Sequence, residues 1–96
     1  MNPNPFSLTG KTILITGASS GIGKASAIQC STMGANVIIT ARDEQRLNQT
    51  FCFLDTSKQN ISIIADLTNK EDIDRLISEL PIIDGVMLCA CLLYTS

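Results

Sequence analysis

Thr16-Gly17-Ala18-Ser19-Ser20-Gly21-Ile22-Gly23 puts three glycines and three hydroxyls into eight residues. Glycine reaches backbone conformations closed to other residues and lets an anion approach with no Cβ in the way. A helix starting at the end of such a turn aims its unpaired amides and positive dipole end at the same anion. Ser19 and Ser20 add hydroxyl donors. The chemistry on offer is a cradle for phosphate. A second reading uses the same residues: a glycine turn that only packs a helix close against a strand. Two other glycine motifs fail on inspection. A P-loop needs Gly at 18 and Ser or Thr at 25 around Gly23-Lys24, where this chain has Ala18 and Ala25, so Lys24 reads as a solvated helix residue. A G-x-G-x-x-G fingerprint needs glycines spaced two and three, whereas the spacing here is four and two.

The flanking elements place that turn. Thr12–Thr16 is a short, β-branched apolar run between Gly10 and Gly17, as expected of a strand buried on both faces. Ile22, Ala25, Ala27, Ile28, Cys30 and Met33 follow at mostly helical spacing, with Gly34 as the residue after the helix. A second strand is expected around Val37-Ile38-Ile39 within Asn36–Ala41. A helix opens at Arg42-Asp43-Glu44 with Leu47, Phe51 and Leu54 on its apolar face. Asn60–Ala65 reads as a third strand. Thr68 and Glu71 have capping-box spacing ahead of Ile73, Leu76, Ile77 and Leu80, a helical stripe that Pro81 ends. Gly85–Cys89 is a fourth apolar strand. The order β-α-β-α-β-α-β predicts an α/β fold, a partial doubly wound parallel sheet with flanking helices and right-handed crossovers.

The T-G-x-x-x-G-x-G spacing after a first strand resembles the short-chain dehydrogenase/reductase family, and the resemblance runs from residue 8 to about residue 90. It implies a Rossmann sheet in the order 3-2-1-4 and a nicotinamide dinucleotide held by Gly17, Ser19, Ser20, Gly21, Ile22 and Gly23. In that family the second strand ends on the residue that selects the dinucleotide. An Asp that accepts from a ribose 2′-hydroxyl would fall at Ala41, and an Arg that pairs with a 2′-phosphate falls at Arg42. The expected cofactor is therefore NADP, as NADPH, with Arg42 as its main 2′-phosphate partner and Ser19 as a second donor. Other roles for Arg42 are to cap or decorate the next helix, or to pair with Asp43. By resemblance Asp66 accepts from the adenine amino group and Leu67 lines the same pocket, while Asp66 also suits a helix cap. The family's Asn-Ala-Gly turn after the fourth strand falls on Cys89, Ala90 and Cys91, so two of its three residues differ. The resemblance is strongest to 3-oxoacyl-carrier-protein reductases and related carbonyl or hydroxysteroid reductases. It implies a small-molecule or acyl-carrier-linked carbonyl substrate and a homo-oligomeric parent. A non-catalytic dinucleotide-binding protein or sensor of the same fold would share every one of these residues.

The family's chemistry needs Ser, Tyr and Lys, with Tyr and Lys four apart. Tyr94 is the only tyrosine and its partner would fall at position 98, so no catalytic residue is assigned and the 96-residue chain by itself is expected to be inactive. Residues 91–96, CLLYTS, read as the in-frame translation of a transposase adaptor end, a non-native tail. The expected organisation is an irregular lead-in over 1–9, the N-terminal part of the dinucleotide-binding domain over 10–90, and that tail. Histidine is absent, which removes His-based general-base chemistry and His-ligated metal sites. Cys30, Cys52, Cys89 and Cys91 include no C-x-x-C pair and read as small core residues in a reducing, cytoplasmic compartment. A formal charge of −2 with no basic block gives no footprint for nucleic acid. No segment reads as a signal peptide or a membrane span.

Overall fold

A computed structural model describes residues 7–19 and 21–89. Within them the chain runs β1 (Thr12–Thr16), α1 (Gly21–Thr32), β2 (Asn36–Ala41), α2 (Glu44–Phe51), β3 (Ile61–Ile64), α3 (Lys70–Glu79) and β4 (Gly85–Leu88). All four strands pair in parallel in the order β3-β2-β1-β4, as the alternation and the resemblance predict. Ser20, Ala90 and the expected tail at 91–96 lie outside the described residues.

β2 shows why these runs are continuously apolar. Val37 to Ile39 are fully buried, and successive side chains serve opposite faces of the sheet. Val37, Ile39 and Ala41 join Ile15 in one core with Ala27 and Cys30 of α1 and Leu47 of α2. Ile38 joins Leu14, Ile63 and Ala65 in a second core with Leu76 of α3. Two helices therefore cover one face and the third covers the other. Leu76 is the one buried residue of α3, and burying a leucine contributes about 2 kcal/mol. Leu8 anchors the described end of the lead-in, its amide donating to the Met33 carbonyl at 2.8 Å.

Several local expectations are corrected. The capping box at Thr68 does not form. Asn69 caps α3 instead, its side chain accepting from the amides of Glu71 and Asp72. The Thr68 hydroxyl is already committed to the Asp66 carboxylate, 2.6 Å away. Likewise Asp43, not Arg42, caps α2, accepting from the Arg46 amide at 3.1 Å. Leu54 is buried but stands past the end of α2. The apolar stripe of α1 is also narrower than its periodicity suggests, because Ile22 is 78% exposed while Gly23, Ala27, Cys30 and Ser31 form the buried face. Cys52, at the end of α2, is exposed rather than a core residue.

Candidate dinucleotide site

The turn between β1 and α1 leaves the carboxyl edge of the sheet from β1, one of its two inner strands. Gly17 and Gly21 adopt φ of 63° and 59°, the left-handed region that favours glycine. A Cβ built on Gly21 meets nothing within 4 Å, so the turn is open at the mouth of α1. A Cβ on Gly23 would stand 1.9 Å from the Gly17 carbonyl oxygen. The two readings of the motif are thus divided among its glycines. Gly23 serves close packing of helix on turn, whereas Gly21 leaves room for a ligand. α1 has no acidic residue in its first turn, while α2 has Glu44 and α3 has Glu71 and Asp72. The positive end of the α1 dipole has no carboxylate of its own helix beside it, which suits an anion. Ser19 is half-buried within the turn.

Arg42 and Asp66 follow the matched ends of β2 and β3, where the Ala65 amide donates to the Ala41 carbonyl at 3.0 Å. Arg42 is exposed, and no carboxylate among the described residues lies within ion-pair distance of it. Asp43, its neighbour in sequence, faces Arg46 instead at 3.6 Å. Asp66 accepts at Oδ1 from both the amide and the hydroxyl of Thr68. The Thr68 hydroxyl first, then its amide, hold the Asp66 carboxyl below its ordinary value against slight desolvation, and the Arg42 charge acts in the same direction. Asp66 therefore closes a turn ahead of α3 and keeps Oδ2 without a described partner. Leu67 is half-buried and packs against the α3-side core.

On the other side of β1, β4 carries the chain to Cys89, half-buried against the core that includes Cys30. The Cys30 thiol lies 3.8 Å from the Met87 sulfur, and burial first, then Cys89, pushes it above the ordinary thiol range. Strand order reverses between β1 and β4, and in open α/β sheets ligands bind in the crevice at such a switch point. Gly17, Ser19, Gly21, Ile22, Gly23, Arg42, Asp66, Leu67 and Cys89 all lie in the segments that follow the carboxyl ends of the four strands. Two residues escaped the sequence reading, Thr50 and Asn69. Thr50 sits three positions after Leu47 on the buried face of α2, a spacing that signals burial but not its bonding partner.

The chain matches the short chain dehydrogenase family over residues 11–92. It belongs to the short-chain dehydrogenase family. Members of this family are oxidoreductases that use a nicotinamide dinucleotide. A 3-oxoacyl-[acyl-carrier-protein] reductase FabG of Rickettsia felis is 45% identical over 83 residues, covering 85% of this chain and 33% of that protein. The 3-ketodihydrosphingosine reductase ksrA of Aspergillus fumigatus is 39% identical over 82 residues, covering 79% of this chain and 22% of that protein. A Caenorhabditis elegans short-chain dehydrogenase/reductase, solved with cofactor, superposes with a TM-score of 0.66 at 39% identity, over 74% of this chain and 28% of that one. The chain thus spans a third or less of these relatives. Among its described residues no helix is long and apolar enough to cross a membrane.

Proposed function

We propose that this chain is the NADP(H)-binding portion of an oxidoreductase that interconverts a carbonyl and an alcohol. The carrying observation is Arg42, an exposed guanidinium with no ion-pair partner among the described residues at the end of β2, beside an Ala41 that offers no carboxylate to repel a 2′-phosphate. An Arg fork matches a phosphate in two parallel hydrogen bonds. In this reading the pyrophosphate rests on the turn at Gly17, Ser19, Ser20, Gly21, Ile22 and Gly23. Asp66 Oδ2 accepts from the adenine amino group beside Leu67, and Cys89 and Ala90 approach the nicotinamide ribose. A bound nicotinamide supplies the hydride. The described residues include no tyrosine, so their share of the reaction is binding and orientation. The names of two relatives speak of 3-oxo and 3-keto compounds, which favours as substrate a carbonyl at that position, carrier-linked or free.

Calorimetric titration of the chain with NADPH and NADH tests this. NADPH is expected to bind tighter, and Arg42→Ala to remove about a tenfold preference, an effect that shrinks as salt rises. Equal affinity for the two dinucleotides, or an Arg42→Ala variant that keeps the preference, refutes the assignment.

A further inference from the structure

Ala18, at the centre of the glycine turn, is completely buried and both of its backbone polar groups are bonded. Its amide donates to the Thr40 carbonyl of β2 at 3.2 Å. Its carbonyl accepts from the Thr50 hydroxyl of α2 at 2.9 Å, in a buried contact between residues 32 apart in sequence. A threonine hydroxyl in a helix ordinarily bonds back to a carbonyl of its own preceding turn. Thr32 does so here, donating to the Ile28 carbonyl at 3.0 Å. Thr50 is fully buried and turns its hydroxyl outward from its helix to the turn instead.

We infer that Thr50 is a positioning residue for the phosphate cradle, acting through Ala18; this rests on the dinucleotide reading above. The Ala18 carbonyl shares a peptide plane with the Ser19 amide. The described peptide bonds include no cis form, and in a trans peptide the carbonyl and the amide point in opposite directions. Pinning the carbonyl inward on Thr50 turns the Ser19 amide away from α2, and no described residue accepts from it. The side-chain hydroxyl of a helix on one face of the sheet thereby fixes the aim of a backbone donor that the pyrophosphate would use. A donor already aimed adds affinity that a freely rotating peptide would lose to ordering. Thr50 itself touches no ligand in this arrangement.

The test compares Thr50→Val, which keeps the shape and removes the hydroxyl, with Thr50→Ser, which keeps the hydroxyl. Without ligand, hydrogen exchange over 16–24 is expected to quicken about tenfold in Thr50→Val and to stay at the parent rate in Thr50→Ser, with exchange over 36–41 the same in all three. Titrated with NADP+, Thr50→Val is expected to bind about tenfold more weakly and Thr50→Ser as tightly as the parent. The inference is overturned if exchange over 16–24 does not change in Thr50→Val, if Thr50→Ser opens as far as Thr50→Val, or if Thr50→Val binds NADP+ as tightly as the parent. A parent chain that binds neither NADP+ nor NADPH, yet shows the exchange difference, rejects the dinucleotide reading and leaves the hold of Thr50 on the turn standing.

Discussion

Gly21 and Gly23 stand two residues apart, yet a single added methyl is expected to act on them differently. In Gly23→Ala the new Cβ meets the Gly17 carbonyl oxygen at 1.9 Å, and backbone must move to admit it. Urea unfolding should show a loss of about 3 kcal/mol. In Gly21→Ala the methyl enters open space but has to adopt φ near 59°, which costs about 1 kcal/mol. Its larger effect should be on NADPH affinity, because the methyl occupies the open mouth of α1. Two buried threonines form a similar contrast. The Thr50 hydroxyl is bonded, whereas Thr40 Oγ1 is buried with no partner among the described residues. A buried hydroxyl without a partner is unfavourable, so Thr40→Val should raise the urea midpoint, by about 1 kcal/mol in stability.

α3 shows how caps and turns share the work of starting a helix. Asn69→Ala removes the acceptor for two first-turn amides and should lower stability by about 1 kcal/mol, read from thermal unfolding. Thr68→Val leaves that cap in place but takes away the hydroxyl that most depresses the Asp66 carboxyl. Carbon-detected NMR titration should then find Asp66 moved up toward its ordinary value. The sign of the pH effect follows. Because the folded carboxyl titrates below its unfolded value, the Asp66–Thr68 turn contributes above the ordinary carboxylate range and loses its contribution as pH falls through the folded value. This region also shows what the sequence could and could not disclose. Strands β1 and β2 were legible because burial on both faces demands unbroken β-branched runs. The parallel sheet followed from the alternation, and its strand order from the family resemblance that the glycine spacing carries. The cap was misread because Thr68 and Asn69 are adjacent and each has an acid three positions on; only the competing Asp66 carboxylate decides between them. Thr50 was missed because its partner is a carbonyl far away in sequence, a fact that helical periodicity does not encode.

At the scale of the whole molecule, β4 pairs on one side only among the described residues and forms an edge of their sheet, with Val86, Met87 and Leu88 exposed by 49%, 39% and 76%. Such an edge is a template for further strand pairing, and charge placed on it discourages association. Sedimentation velocity should show the 96-residue chain self-associating, and Leu88→Lys shifting it toward monomer with an unchanged circular dichroism spectrum. A wild-type chain that stays monomeric at high concentration contradicts this. The arrangement of partners around β1 also bears on synthesis. Ile13 faces Val37 on one side and Gly85 on the other, 24 and 72 positions later. At about 5–20 residues per second on the ribosome, the second neighbour emerges roughly 2–10 seconds after the first. During that interval β1, which ends up between β2 and β4, is itself a bare margin, so the nascent polypeptide is more exposed to misassembly and more in need of a chaperone until β4 has been translated.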